Sequence, residues 1–322
     1  MLFSVIVPVY NRPDEIDELL QSLCRQTETS FEVLVIDDGS DRPCRQIVDR
    51  YQDRLKVRYF FKENSGQGFT RNYGFDMASG DYLVVFDSDC IIPPHYFETV
   101  RKELEKEPFD AWGGPDRSHP DFSPLQKAIS YSMTSPFTTG GIRGDKNHIG
   151  TFYPRSFNMG ISSQVYRRTG GFKFTRMGED LEFSIRIIKS GFKVRLIEEA
   201  YVYHKRRPSL WQFFRQIYSF GRTRIQLNRY HPGQVKMIHM LPVLAVLYLL
   251  VAIAWLPAQS TLSWILMVPI AAYGLLIWNH SYMRENSLYV ALLSVIATLI
   301  QITAYACGFV RELIKPSPRE DE

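Results

Sequence analysis

Asp87 and Asp89 stand two residues apart, directly after the apolar run from Tyr82 to Phe86. Alternate residues at a strand end lean to the same side, so both carboxylates can hold one divalent cation. Few, hard oxygen ligands suit Mg²⁺ or Mn²⁺ bridging a diphosphate, and Ser88 between them is a further candidate contact for such a donor. Asp37 and Asp38 close an earlier apolar run, Phe31 to Ile36. A carboxylate placed there can accept hydrogen bonds from a nucleotide base or ribose. Asp-Asp-Gly-Ser is equally good turn and cap chemistry, and both readings can hold at once. Ser65-Gly66-Gln67-Gly68 and Arg71 form a loop and helix start able to approach phosphates. Without a third glycine the loop is a poor dinucleotide site, which argues against an oxidoreductase. Glu179 and Asp180 follow Gly178 at an expected helix start. Acids there favour the helix dipole, and either can serve as a general base that takes the proton from an attacking hydroxyl. Spacing does not choose between them.

These residues need a scaffold that brings distant strand ends together, and the apolar pattern supplies one. Phe3–Val9, Phe31–Ile36, Val57–Phe61 and Tyr82–Phe86 are short β-branched or aromatic runs. Between them lie helical spacings at 13–25, 44–51 and 68–78. That alternation predicts an α/β domain with a mostly parallel sheet covered on both faces, whose ligands sit beyond the carboxyl ends of the strands. From about Asp116 to Tyr153 the pattern fades among Pro120, Pro124, Pro136, Gly140, Gly141, Gly144 and Gly150, and a binding loop or lid is expected there. Order returns at Phe157–Val165 and in a helix at 180–190 that Gly191 ends.

The 322 residues carry a formal charge of +4, unevenly placed. No Asp, Glu, Lys or Arg occurs from Met237 to Met283, nor from Asn286 to Val310. Runs of this kind match spanning helices of roughly 20 apolar residues. Spans are expected at 237–257, 261–279 and 288–309, followed by a polar tail at 311–322. Ahead of them, Arg215, Arg222, Arg224 and Arg229 are interleaved with Trp211, Phe213, Phe214, Tyr218 and Phe220, with no acidic residue from Ala200 to Met283. An RNA-binding strip has similar composition, but this one runs straight into an apolar span. The expected partner of 208–236 is therefore anionic membrane lipid, and no nucleic acid. Met1 leads almost at once into the first strand, leaving no room for a signal peptide. Cys24, Cys44, Cys90 and Cys307 show neither metal nor disulfide spacing, as in a reducing compartment.

Read in order, Ser4-Val5-Ile6-Val7-Pro8-Val9-Tyr10-Asn11, Val35-Ile36-Asp37-Asp38-Gly39-Ser40, Thr70-Arg71-Asn72-Tyr73-Gly74, Phe86-Asp87-Ser88-Asp89, Asn158-Met159-Gly160, Gly178-Glu179-Asp180 and Tyr203-His204 resemble glycosyltransferase family 2 over about residues 3 to 230. The resemblance implies a GT-A fold, Rossmann-like, in residues 1–207. It implies that Pro8, Tyr10, Asp37 and Arg71 surround the nucleotide, that Asp87 meets ribose or metal, and that Asp89 meets metal. Asp180 would then be the base with Glu179 beside it, and His204 would approach the diphosphate or metal. The implied reaction inverts the anomeric centre by one direct displacement. Processive synthases of this family carry Gln-x-x-Arg-Trp, where this chain reads Gln216-Ile217-Tyr218-Ser219-Phe220. The expectation is thus a non-processive transferase moving a sugar from a nucleotide-sugar donor, most readily UDP-linked, to a lipid-linked or cell-envelope glycan acceptor. A polyprenyl-phosphate sugar synthase is the alternative, and a silent nucleotide-sugar-binding membrane protein has no need of Asp37, Asp87, Asp89 and Asp180 together. The basic stretch before Met237 places the front part in the cytoplasm at a cell inner membrane. Three spans would put Arg311, Lys315 and Arg319 outside, against the same rule, unless 288–309 lies along the interface.

Overall fold

The computed structural model describes residues 1–140 and 151–318; Gly141, Gly144, Gly150 and Arg319 lie outside the described residues. In chain order the elements are β1 (Phe3–Val9), α1 (Pro13–Leu23), β2 (Phe31–Asp37), α2 (Arg45–Asp49), β3 (Val57–Phe61), α3 (Gln67–Met77), β4 (Tyr82–Phe86), β5 (Cys90–Ile91), α4 (Tyr96–Lys106), β6 (Ala111–Gly113) and β7 (Asp116–Arg117). Then follow α5 (Pro124–Thr134), α6 (Pro136–Thr139), β8 (Asn158–Ser162), α7 (Ser163–Thr169), α8 (Glu179–Lys189), β9 (Val194–Leu196), β10 (Val202–His204), α9 (Leu210–Tyr230), α10 (Leu241–Trp255), α11 (Thr261–Glu285) and α12 (Leu288–Ile314). The chain divides into one unit of Met1–His119 with Gly141–Lys205, and a second of Pro120–Gly140 with Arg206–Glu322.

The first unit is built on a seven-stranded sheet ordered β3-β2-β1-β4-β8-β6-β9. Neighbours are parallel except where β8 meets β4 and β6, so the α/β, mostly parallel expectation holds. Strands β1 and β2 are buried almost throughout, which is why they read as continuous apolar runs rather than as alternations. Pro8 is tolerated inside β1 because pairing with β4 ends at Ile6, leaving one edge of the strand without a ladder at that point. A second sheet, β5-β10-β7, is small and joins chain segments near residues 90, 116 and 204.

Gly160 marks a close approach in β8: a Cβ there would stand 2.0 Å from Trp112 Cζ2. The Trp112 ring is fully buried and its Nε1 donates to Tyr96 Oη at 3.3 Å, so it cannot give way. Gly160→Ala should destabilise this unit by about 3 kcal/mol or more, the upper range of overpacking. Thermal unfolding in detergent reads this as a lower midpoint, and an unchanged midpoint would contradict the packing.

The second unit is helical. Where irregular chain was expected, α5 is a capped helix: Ser123 accepts from Gln126 N–H, Gln126 reaches back to the Ser123 N–H, and Pro124 occupies the first turn. Two of the prolines weighed as breakers, Pro124 and Pro136, start helices instead. Ile129 and Met133 of α5 pack with Phe213 and Ile217 of α9 and Ala297 and Ala304 of α12, which groups residues 120–140 with this unit rather than with the rest of 1–207. Three helices, Met237–Ala258, Thr261–Glu285 and Leu288–Ile314, are long and apolar enough to cross a membrane. The last continues past the expected end at 309, because Arg311 and Glu312 pair with each other and Glu312 also pairs with Arg222.

Candidate active site

The carboxyl ends of β1, β2 and β4 carry Tyr10, Asp37–Asp38 and Asp87–Asp89, as parallel topology requires. Pro8 is half-buried at the end of β1. Tyr10 beyond it is 49% exposed, a ring face open for stacking. Asn11 then turns through φ 54° and donates its N–H to Ser40 Oγ at 2.8 Å, tying the β1 end to the turn after β2.

Asp37 is fully buried and closes that turn, its Oδ1 accepting from Ser40 N–H at 2.9 Å and its Oδ2 from Tyr59 Oη at 2.7 Å. Asp38 accepts from Lys62 Nζ at 2.6 Å and from the Ser65 and Gly66 N–H groups at 2.9 and 3.0 Å, just ahead of α3. Burial opposes its ionisation, but those bonds outweigh it and hold the carboxyl below its ordinary value. The turn role of both residues is thus realised, but neither caps a helix, since α2 begins after Cys44 and α3 after Gly66.

Arg71 has a fully buried guanidinium between two acids, Nη2 to Asp87 Oδ1 at 2.7 Å and Nη1 to Glu179 Oε1 at 2.9 Å. Its charge is committed to joining the end of β4 to the start of α8, rather than standing open to a phosphate. Gln67 Nε2 also donates to Glu179 at 2.5 Å. Burial first, and Asp180 next, push Glu179 up to about 7, against the pull of Arg71. Asp180 is more open: Oδ1 accepts from Leu181 N–H at 2.7 Å and Oδ2 lies 3.5 Å from Arg155 Nη1, with the side chain 19% exposed. Of the adjacent acids, therefore, Glu179 is a buried tie and Asp180 is the more open to solvent.

Asp89 is held by Arg12 Nη1 at 2.5 Å and faces His204 Nε2 at 3.1 Å. Burial alone would raise its pKa, but His204 and Arg12 outweigh that and hold it well below the usual carboxylate range. Strand pairing makes the contact possible, since His204 sits opposite Cys90 in the small sheet and Val202 opposite Asp116. Asp116 Oδ2 lies 3.8 Å from His204 Nδ1, on the far side of the ring from Asp89. Donor atoms of Asp89, Cys90 and His204 lie within 4.8 Å of one another. Burial drives the Cys90 thiol well above its ordinary value, so it is a poor ligand for a hard ion. Asp89 and His204 remain, and the buried Asp89 Oδ1 makes no aligned hydrogen bond, so this oxygen–nitrogen pair fits a divalent cation. Asp87 is outside that cluster and paired with Arg71, though its side chain is the more open of the two aspartates, 29% exposed against 12%. Ser88 between them is buried.

Arg12 and Asp116 were not singled out from the sequence. Arg12 had a signal: it follows Asn11 at the same strand edge that carries the acids. Asp116 had none, because its place opposite Val202 is set by a two-residue strand inside a stretch without periodicity.

The family model described as Glycosyl transferase family 2 matches residues 4–168, more than half of the chain. The Validoxylamine A glucosyltransferase of Streptomyces hygroscopicus subsp. jinggangensis (strain 5008) is 29% identical over 229 residues, covering 62% of this chain and 54% of that protein. The chain thus spans about half the length of that relative. Among solved structures, the mannosyltransferase PcManGT from Pyrobaculum calidifontis, in complex with GDP-Man and Mn²⁺, superposes with a TM-score of 0.69 at 18% identity, covering 98% of this chain and 88% of that one. Residues 1–349 of Staphylococcus aureus TarS in complex with UDP-GlcNAc superpose with a TM-score of 0.50 at 19% identity, covering 98% of this chain and 92% of that one. At these identities the structures establish a shared GT-A-like fold, while the family model, matched across the strand ends described above, establishes that the chain belongs to glycosyl transferase family 2.

Proposed function

We propose that this glycosyltransferase moves a sugar, with inversion and one residue at a time, from a nucleotide-diphosphate donor to a lipid-linked or cell-envelope glycan acceptor at the inner membrane, with residues 1–205 on the cytoplasmic side. The observation that carries the reading is the division of labour among the acids: Asp89 with His204, Asp87 with Arg71, and Asp180 open beside a buried Glu179. Tyr10 offers a face to the base, and Asp87 is open enough to meet ribose. Asp180 takes the proton of the acceptor hydroxyl as its oxygen attacks the anomeric carbon, and the bond to the diphosphate breaks on the opposite face. Mg²⁺ or Mn²⁺ held by Asp89 and His204, with Asp87 near by, would stabilise the charge on the departing diphosphate. The bound donors of the two solved relatives, GDP-Man and UDP-GlcNAc, keep both UDP- and GDP-sugars in view, with UDP the first to test. Arg155 beside Asp180 favours one second reading, since a phosphate acceptor such as polyprenyl phosphate needs a cation there.

A panel of UDP- and GDP-sugars incubated with Mn²⁺ tests the core of this reading. Metal-dependent binding and slow hydrolysis of one donor are expected, both lost on chelation. Failure to bind any nucleotide sugar would reject it.

A further inference from the structure

The third apolar helix differs from the other two. Of its most apolar stretch 44% is buried by protein, against 6% for Met237–Ala258 and 11% for α11. Apart from Val290 and Phe309, its covered side consists of small and polar residues, among them Ser294, Ala297, Ala304, Gly308 and Glu312. The other side is an apolar stripe through Leu292, Ile296, Leu299, Val310 and Ile314. Helix α9 covers most of the small side, with α11 meeting it at Ser294 and α5 at Ala297 and Ala304, and close approaches to α9 fix the register. A Cβ on Gly308 would stand 2.0 Å from Tyr218 O, and one on Gly221 would stand 2.2 Å from Tyr305 O. Further along, Arg222 Nε pairs with Glu312 Oε2 at 3.0 Å and Arg229 Nη1 donates to Ser317 O at 2.7 Å. The two helices therefore lie side by side and run in the same direction to their ends.

Charge and chain path then agree. Any slab of hydrocarbon that held residues 305–314 would also hold Arg222 and Arg224 of α9, a costly pair of charges with Glu312 as the one acid in either segment. Two spanning helices return the chain to the side it left, so the start of α10 and the end of α11 share a side. Helix α12 starts after Asn286 and Ser287, on that side, and finishes against Arg229, just before the Met237–Ala258 helix. Even fully extended, the connection from Arg229 to Met237 reaches at most about 29 Å, short of a hydrocarbon core of about 30 Å, and its first residues are folded into turns. Both ends of α12 thus lie on one side.

We infer that α12 does not cross the membrane but lies in its plane beside α9, with the apolar stripe against acyl chains and the arginines of α9 among anionic lipid headgroups. The chain then crosses twice, and its C-terminus shares a side with α9. The lysine and arginine of the tail no longer oppose the positive-inside rule. This rests on the reading of α10 and α11 as spans. The test uses the full chain in right-side-out membrane vesicles, a membrane-impermeant maleimide, and mass spectrometry of the labelled peptide. Gln259→Cys, between α10 and α11, should label at once, whereas Lys315→Cys and Pro318→Cys should label only after detergent. Labelling of 315 or 318 together with 259 before detergent overturns the proposal. Protection of all three before detergent also overturns it, and in that case the spanning pair itself is wrong; protection of 259 with labelling of 315 and 318 upholds the two crossings and reverses the orientation.

Discussion

Replacing Asp180 with asparagine should lower sugar transfer by on the order of 10²-fold or more, the usual scale of general-base catalysis, while donor affinity changes little. Asparagine keeps the size of the side chain, and its amide oxygen can still accept from the Leu181 N–H, as Asp180 Oδ1 does at 2.7 Å. It cannot accept a proton. The structure separates this residue from its neighbour in a way that the pair Glu179-Asp180 alone does not. Glu179 is buried, bonded to Arg71 and Gln67, and unavailable to an acceptor without breaking the tie between α8 and β4. Glu179→Gln should therefore disturb Asp87 and donor binding through Arg71, whereas Asp180→Asn should leave the donor site intact. Measuring transfer and donor affinity for both variants distinguishes the roles. Near-normal transfer by Asp180→Asn would place the base elsewhere.

The parallel half of the sheet was legible because β1, β2 and β4 are largely buried on both faces and so appear as apolar runs bounded by turn residues, while β3, part-exposed at the sheet edge, shows as a short β-branched and aromatic run. Val57–Phe61 and Tyr82–Phe86 were located to the residue. The acids were legible because such a sheet can present ligands only at its carboxyl edge. Partners across long loops were not. Nothing local to Asp89 announces Arg12, which reaches it across 77 residues of chain, whereas His204, 115 residues away and brought in by a two-residue pairing, was named through the family resemblance alone. Helix α5 was missed for a different reason: Pro124 and Pro136 were weighed as breakers, although proline in a first turn, after Ser123 and Ser135, is a start signal. Length and composition made all three C-terminal helices look alike. What distinguishes α12 is the row of small residues on one side, a packing feature that average hydropathy does not register.

Asp89→Ala should reduce turnover by on the order of 10³-fold or more, the upper end of what loss of one electrostatic stabiliser costs, and should remove the metal dependence of donor binding. The carboxylate meets both His204 and Arg12, so its removal takes away an oxygen ligand and leaves Arg12 without its partner. The guanidinium of Arg12, freed of its carboxylate partner, disfavours a divalent cation still further. Folding should survive, because Arg12 is 31% exposed along its side chain and can turn to water, and because Phe86 and Ile92, which anchor the strand on either side, remain buried. Asp87→Asn separates the two aspartates. If Asp87 chiefly serves ribose and the Arg71 tie, that variant should weaken donor binding with and without metal, while Asp89→Ala should weaken only the metal-dependent part. Manganese titration followed by electron paramagnetic resonance, together with donor binding in chelator, measures both. Wild-type turnover by Asp89→Ala, or turnover by the wild type that chelation leaves untouched, would remove the cation from this site.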